Sequence, residues 1–356
     1  MASIESVRWP IEPHTRVKHL ILQRHLDGWL PIMTRGGFPR LLYVDGFAGP
    51  GRYEGGEPGS PIIALRAAVL RKRPLGASRI EFLFIEERSD RAEALQEELA
   101  AFEREHPLPS NIRYEVRPGR FDVVMTTWLD AAYSRPPAIF AFIDPFGYSG
   151  LPMTLLHRIA RLRHSECLIN FAYYSMNRWG SDPAKTSTLT EQFGTPDWQE
   201  VWGDEAATLE LYRLQLKREF RYVCSFQMQD AADRTLYFLA FGSNSPKGLN
   251  VMKAAMWKAD PKSGRVFSDL EDVQPLMLVV PPRPLRELLL NYFRGRGWVN
   301  IEDIEEFVRH TVYSEAIHLR NQTLAPMTRE KPAVLEVLRM QGVRSGFPPG
   351  TRVRFL

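Results

Sequence analysis

The chain has 356 residues, 44% hydrophobic and 25% charged, with a formal net charge of +4. This is the composition of a globular protein with a sizeable core and room for two or three domains, and it excludes fibrous and low-complexity chains. The pI near 9.0 rests on arginines such as Arg71, Arg73, Arg158, Arg163, Arg352 and Arg354, which suit a protein that approaches polyanions, although no single basic block dominates.

Cys167 and Cys224, the two cysteines, sit inside apolar runs. Without disulfide or ligand spacing they read as small buried hydrophobes in a reducing compartment. Met1 to Pro13 is polar and proline-containing, unlike a secretory signal, and no apolar run is long enough to span a bilayer. The expected location is cytoplasmic, with no membrane partner.

In chain order, helical spacing of apolar residues predicts a helix from Thr15 to about Met33, within an N-terminal helical segment (1–40) packed on the core. Leu41 to Val44 is the first strand. Ser60 is expected to cap a helix, with Pro61 in its first turn and Ile62 to Leu70 as its body. Strands follow at Ile80–Ile85, Ile112–Val116, Ala138–Ile143 and Glu166–Phe171. Helices are expected between them: one capped by Ser89 or Asp90 and running to Phe102, then Phe121–Tyr133 and Leu155–Arg163. Alternating strands and helices with two-sided apolar strands predict a parallel α/β sheet covered on both faces.

The region of about 173–220 reads as an insertion. Tyr173 to Trp202 lacks strong periodicity, and Leu209 to Phe220 reads as a helix. Tyr222–Met228 and Thr235–Gly242 have hairpin spacing, which makes the second strand antiparallel, and Lys247–Trp257 is a helix. The α/β domain thus spans 41–280 and ends in the apolar run Leu276–Val280. Residues 281–284, Pro281-Pro282-Arg283-Pro284, read as a stiff linker. Over 285–356, helices at Leu285–Phe293, Ile301–Val308 and Lys331–Met340, with a basic hairpin from Gly342 to Phe355, suit a winged helix-turn-helix.

Three acids end strands: Asp45, Glu86 and Asp144. Open α/β sheets bind ligands outside the carboxyl ends of their strands. Asp45 leads into Gly46, Gly49 and Gly51, a turn that lets backbone pass close to a ligand. Arg52 after Gly51 excludes a P-loop, and the glycine spacing misses the dinucleotide fingerprint. A nucleoside without phosphates, such as S-adenosylmethionine, fits better. Glu86 suits ribose hydroxyls, or else a helix N-terminus. Lys18 and His19 sit either at the pocket mouth or on a solvated helix face. Asn177, Arg178 and Trp179 follow the fifth strand and suit phosphate contact and base stacking. The histidines lack metal-ligand spacing, and no nucleophile elbow occurs, so hydrolase readings are poor and no metal is expected.

Asp45-Gly46-Phe47-Ala48-Gly49-Pro50-Gly51 resembles the first motif of class I S-adenosylmethionine-dependent methyltransferases, in the D-x-F-x-G-x-G form of amino-methylating nucleic-acid enzymes. Asp144-Pro145-Phe146-Gly147 stands where these enzymes carry D/N-P-P-Y/F. Lys18-His19 with Gly49-Pro50-Gly51-Arg52-Tyr53 is similar to the ribosomal-RNA adenine-N6 type. More broadly, the chain resembles the three-Cys-motif partner family, TcmP, through Lys18–Leu22, the Asp45 motif, Gly59-Ser60-Pro61, Ile143–Gly147 and Gly248–Met252.

These resemblances imply a Rossmann-like methyltransferase sheet with an antiparallel hairpin strand, plus a C-terminal winged helix. They imply S-adenosylmethionine held by Asp45, Gly46, Phe47, Ala48, Gly49, Gly51, Glu86 and Phe121. Catalysis falls to Asp144, Pro145, Phe146 and Gly147, and substrate contact to Lys18, His19, Tyr53, Asn177, Arg178 and Trp179. The implied partners are DNA or RNA and a three-Cys-motif protein. An exocyclic amine needs acceptors for its hydrogens before its lone pair can attack, and an aromatic ring to stack its base. Here the motif has one proline, Phe146 stands in place of the second, and Gly147 stands in place of the aromatic residue. The alternative reading is a non-catalytic methyltransferase fold that binds nucleic acid with its partner.

Overall fold

The central strand runs Leu41–Val44 and Ala138–Ile143 are apolar at every position because alternate side chains enter two different cores. In the computed structural model, which describes residues 6–131, 136–145, 151–269 and 282–356, β1 (Arg40–Asp45), β2 (Arg79–Glu86), β3 (Ile112–Pro118), β4 (Ala138–Ile143) and β5 (Ser165–Phe171) are mutually parallel. Leu41 and Tyr43 of β1 face one core; Leu42 and Val44 face the other. Helices α1 (Pro13–Arg35), α2 (Ser60–Val69) and α3 (Ser89–Glu105) cover the first face. Helices α4 (Phe121–Asp130) and α5 (Met153–Ala160) cover the second.

After β5, the segment without clear periodicity is helical: α6 (Tyr173–Trp179), α7 (Thr186–Phe193), α8 (Trp198–Val201) and α9 (Glu205–Leu216). These helices are short and pack mainly through aromatic pairs such as Phe171 on Tyr212, 4.2 Å apart, so no long amphipathic stripe marks them. The hairpin β6 (Tyr222–Gln229) and β7 (Thr235–Ser243) follows, with β7 antiparallel to both β5 and β6. Helix α10 (Pro246–Ala259) and a short strand not expected from the sequence, β8 (Val266–Ser268), complete the sheet order β3-β2-β1-β4-β5-β7-β6-β8. The fold is α/β with a mostly parallel sheet and an antiparallel hairpin strand. No described helix is long and apolar enough to cross a membrane.

Helix α1 is pinned by polar contacts as well as by its apolar face. His25 Nε2 lies 3.1 Å from Glu166 Oε2 in β5, and Ser243 Oγ donates to Glu166 Oε1 at 3.0 Å. A Cβ at residue 248 would lie 1.7 Å from Glu166 Oε1, so only glycine lets α10 pass this carboxylate. Pro31 lacks the amide that would bond the Asp27 carbonyl one turn earlier. Arg71 Nη2 supplies the donor instead at 2.9 Å, while Nη1 bonds Ala67 O in the last turn of α2.

Residues 282–356 form their own core around Leu289, Ile304, Leu319 and Val353. The order is α11 (Leu285–Phe293), β9 (Trp298–Asn300), α12 (Ile301–Arg309), a π-type helix Glu315–Leu324 continued by Ala325–Met327, β10 (Leu335–Leu338) and β11 (Arg352–Phe355). The three strands pair antiparallel in the order β10-β11-β9.

Several local expectations are corrected. Lys331–Met340 is not a helix: Leu335 and Val337 alternate inward opposite Phe355 and Val353, a strand pattern behind Pro332. The third helix is instead Glu315–Met327, where His318, Asn321 and Gln322 interrupt the apolar pattern. Ser60 is not an N-cap; Gly59 precedes the helix and the Ser60 hydroxyl turns to Asp45. Neither Ser89 nor Asp90 caps α3, whose preceding residue is Arg88; Asp90 pairs with Arg88 instead. The run Leu276–Val280, the linker residue Pro281, and Tyr133 at the expected end of α4 lie outside the described residues.

The C-terminal unit is held against α10. Lys253 Nζ donates to the carbonyls of Val308 (3.3 Å), Arg309 (2.8 Å), Thr311 (2.6 Å) and Tyr313 (3.1 Å), at and beyond the end of α12. Carbonyls at a helix end lack the amides of a next turn and carry the negative end of the helix dipole, although Val308 O also accepts from Thr311 N. Trp257 Nε1 bonds Val312 O, and the Asn250 amide bonds both the side chain and the backbone of Glu315. Burial pushes the Lys253 ammonium down to about 8. Lys253→Met should remove the ammonium from all four carbonyls, of which Val308 O keeps its bonds from Thr311, and destabilise this contact by about 2–3 kcal/mol. Hydrogen exchange over residues 301–313 should rise accordingly; unchanged protection would show that the ammonium does not hold the contact.

Candidate functional site

At the carboxyl edge of the sheet, β1 ends in Asp45 and the chain turns through the glycine loop. Gly46 N donates to Phe142 O and Ala48 N to Ile85 O, so the loop is stitched to the ends of β4 and β2. A Cβ at residue 46 would meet the Phe121 ring at 2.6 Å, and Gly49 has φ +64°, which favours glycine. Glu86 Oε2 accepts from Gly49 N at 2.8 Å and Oε1 accepts from Arg88 N at 3.0 Å. The carboxylate therefore ties the loop to the start of α3, as the helix N-terminus reading of Glu86 expects. A carboxylate has about four acceptor sites, which leaves capacity for a ligand hydroxyl.

Phe121 and Phe47 pack together, with ring centroids 5.7 Å apart, and Phe121 is buried in the core beside Met125. Trp9, which sequence reasoning did not single out, lies at the loop: its ring is 3.7 Å from where a Cβ of Gly49 would stand and meets Tyr53 edge-on at 5.8 Å. Arg91 stacks on Trp9 at 4.6 Å and donates to Ser6 O, holding this N-terminal segment over the loop.

Asp144 follows β4. Its Oδ2 receives Lys18 Nζ at 2.5 Å and its Oδ1 receives Asn170 Nδ2 at 2.7 Å. Lys18 is buried and lies 5.3 Å from the Tyr237 ring centroid, so it faces the sheet edge and not solvent. The neighbouring His19 packs against Tyr53 at 5.7 Å; burial, then Lys18, push its imidazole down to about 3, which keeps it neutral. Burial raises the Tyr53 and Tyr237 phenols, and Asp144 pushes both the same way. Asn170 and Tyr237 were missed from the sequence. Asn170 carried a signal, as an amide near the end of the otherwise apolar run Cys167–Phe171; Tyr237 carried none, because aromatic residues are ordinary in strands.

Asp45 is fully buried. Its Oδ2 accepts from Tyr43 Oη at 3.3 Å, while its Oδ1 has no hydrogen-bond partner. Burial raises its carboxyl to about 7; Asp144 adds to the rise, and the Ser60 hydroxyl and Phe47 amide oppose it. Asn170 Oδ1 is also buried without a partner. Two unpaired buried acceptors within one edge of the sheet are costly unless a donor arrives.

The structure thus brings Lys18, His19, Tyr53, Asp45 and Asp144 into one cluster, with the loop Gly46–Gly51 and Glu86 alongside. It does not join Asn177, Arg178 and Trp179 to that cluster. Among the described residues their contacts stay local: Trp202 Nε1 donates to Asn177 O, and Arg178 stacks on Trp179 at 5.1 Å. Pro145 is at the edge beside Asp144, and Phe146 and Gly147 lie outside the described residues.

No known family's sequence profile matches the chain, and no curated protein matches it. Solved structures with a similar fold include Trm1 from Pyrococcus horikoshii with S-adenosyl-L-methionine, at 14% identity and TM-score 0.37, covering 70% of this chain and 60% of that one. The chain therefore spans less than two thirds of Trm1. Protein LPL1258 from Legionella pneumophila matches at 12% identity and TM-score 0.42, covering 70% of this chain and 93% of that one. Human methyltransferase-like protein 13 with SAH matches at 11% identity and TM-score 0.36, covering 69% and 92%. At these identities and scores the likeness assigns no role to any residue.

Proposed function

We propose that the protein is an S-adenosylmethionine-dependent methyltransferase acting on an exocyclic amino group of a nucleic-acid base. The observation that carries this reading is the Asp144 carboxylate, held by Lys18 and Asn170 at the strand end next to a glycine loop with an unpaired buried acceptor. The residues present fit the cofactor: Asp45 Oδ1 awaits a donor and Glu86 has spare acceptor sites, while Gly46, Gly49 and Gly51 let the loop turn tightly against Phe121, Trp9 and Leu95, with Phe47 and Ala48 beside it. When bound, S-adenosylmethionine supplies an electrophilic methyl group on a sulfonium.

Asp144, ion-paired with Lys18, acts as an acceptor only. It would take a hydrogen bond from the target amine, with the Pro145 carbonyl as second acceptor, and so turn the nitrogen lone pair out of conjugation. Lys18 and Asn170 fix the carboxylate's orientation. In a duplex the base must leave the stack to reach this edge. The helix–strand–helix–helix–strand–strand order of residues 285–355 supports reading this part as a winged helix-turn-helix, separate from the α/β domain. The pattern from Lys18 to Met252 supports membership of the three-Cys-motif partner family, with a cytoplasmic three-Cys-motif protein as partner.

A second reading, a non-catalytic partner on nucleic acid, is favoured by one observation: both Asp144 oxygens already hold protein donors. Methyl transfer from labelled donor to mixed DNA and RNA, with and without the partner, separates the two. Asp144→Ala should lower transfer by about 10²-fold or more and leave cofactor affinity by calorimetry within a few-fold. Full activity would remove Asp144 from the chemistry, and absence of any cofactor binding by the wild type would end the methyltransferase reading.

The Asp45 carboxyl gives a pH signature. Its folded value, about 7, lies above the ordinary 3.8, so the native state binds the extra proton and its stability falls as pH rises between those values. Asp45→Asn removes that loss. Without cofactor, the variant should gain on wild type from pH 4 to 8, by at most ~1.4 kcal/mol per pH unit, in urea unfolding at each pH. Parallel stability profiles would show that folding does not raise the Asp45 carboxyl.

A further inference from the structure

At the opposite end of the sheet from Asp144, a groove of about 710 Å³ lies between the last turns of α1 and α2 and the connection into β2. It is lined by Arg35, Arg66, Arg71, Lys72 and Arg73 against a single carboxylate, Asp27. Arg71 is committed to the protein: it bonds the Asp27 and Ala67 carbonyls and lies 3.6 Å from the Asp27 carboxylate. It forms a fixed floor between the two helices. Arg35, Arg66, Lys72 and Arg73 are exposed, and their side chains have no hydrogen-bond or ion-pair partner among the described residues.

Cations at helix C-termini have an ordinary explanation, compensation of the dipole. Two helix ends supply only about one negative charge in total. After that and Asp27 are counted, the groove keeps a surplus of about three positive charges, enough to set a local potential that gathers anions. The groove is also too large for one small anion, and Pro31, Leu70, Pro74 and Leu75 give it apolar wall.

The basic surface continues toward the site. Arg24 and Arg35 are exposed along α1, the helix that places Lys18 on Asp144, and Arg16, also exposed, is paired with Glu57. From Lys18 to Arg35 the helix rises about 25 Å at ~1.5 Å per residue. One strand of a nucleic acid, with a phosphate every ~3.4 Å, covers that distance in about seven nucleotides. We infer that the Arg35–Arg66–Lys72–Arg73 groove is a binding site for the phosphodiester backbone of a nucleic acid, remote from the methylated base and reached along α1. The inference rests on the nucleic-acid reading of the Asp144 site.

The test is fluorescence anisotropy of labelled DNA and RNA of about 30 nucleotides, single-stranded and duplex, at rising salt. The full-length wild type is compared with the triple variant Arg66→Glu, Lys72→Glu, Arg73→Glu. These side chains are exposed, and thermal melting checks the fold; a glutamine version replaces the triple variant where charge reversal perturbs it. Expected are an affinity loss of at least about 10-fold and a salt slope shallower by about 2–3, with S-adenosylmethionine binding by calorimetry unchanged. Unaltered affinity and slope in the variant overturn the groove and leave the methyltransferase reading standing. A wild type that binds S-adenosylmethionine but no nucleic acid, even at low salt, overturns the groove and the nucleic-acid substrate together and leaves the cofactor reading intact.

Discussion

The seating of α1 across the sheet is the constraint on which the other features depend. Ile21, Leu22, Leu26, Trp29 and Leu30 are buried against the sheet, each worth about 1.5–3 kcal/mol relative to exposure. That burial fixes the helix to the face but leaves its rotation and translation less sharply defined. The His25–Glu166 contact sets both, because a buried carboxylate has one place where its partner can stand. Once His25 is placed, two helical turns toward the N-terminus put Lys18 at Asp144. In the other direction the Asp27 carbonyl and Pro31 meet Arg71. The same register therefore positions the two ends of the helix, one at the carboxyl edge and one at the amino edge of the sheet.

At the carboxyl edge, two acids share one ammonium unequally. Asp144 has Lys18 and Asn170 in direct contact, whereas the more deeply buried Asp45 has only hydroxyl and amide donors and feels Asp144 as a repelling neighbour. Burial and like charge act in the same direction on Asp45 and raise its carboxyl. The neutral His19 fits the same logic: beside an ammonium and out of solvent, the imidazole gives up its proton. The outcome is one carboxylate fixed by an ion pair with Lys18 and, behind it, a buried acid whose carboxyl is raised.

Much of this frame was legible in the chain. Two-sided apolar runs ending in Asp45, Glu86 and Asp144 mark parallel strands, because few other elements are apolar on both faces for five or six residues and then stop in an acid. The loop was legible for the same reason that it is conformationally special, its glycines. What the sequence concealed were contacts between distant residues. Lys18 on an amphipathic helix has the same local pattern whether it meets solvent or Asp144, 126 positions away. Ser60 before Pro61 looks like a cap until Asp45 claims its hydroxyl. The third C-terminal helix was misplaced because Glu315–Leu324 carries Arg320, Asn321 and Gln322 together, while Lys331–Met340 has apolar spacing compatible with either a helix or a strand until Val353 and Phe355 pair with it.

Helix α10 extends the same dependence to the C-terminal unit. Gly248 faces Glu166, so the carboxylate that registers α1 also limits how closely α10 can approach. From that point the helix presents Asn250, Lys253 and Trp257 at intervals of three and four residues, one face that bonds Glu315, the end of α12 and Val312. The stretch Gly248–Met252, read in the sequence as a family motif, thus makes structural contacts: Gly248 for the core carboxylate and the Asn250 amide for the neighbouring unit. A displacement of α10 could not be absorbed locally, because packed cores shift between discrete arrangements and do not deform smoothly. Glu166 thus meets both helices at once, His25 of α1 at Oε2 and the bare backbone of α10 at Oε1, so one carboxylate sets where each of them lies.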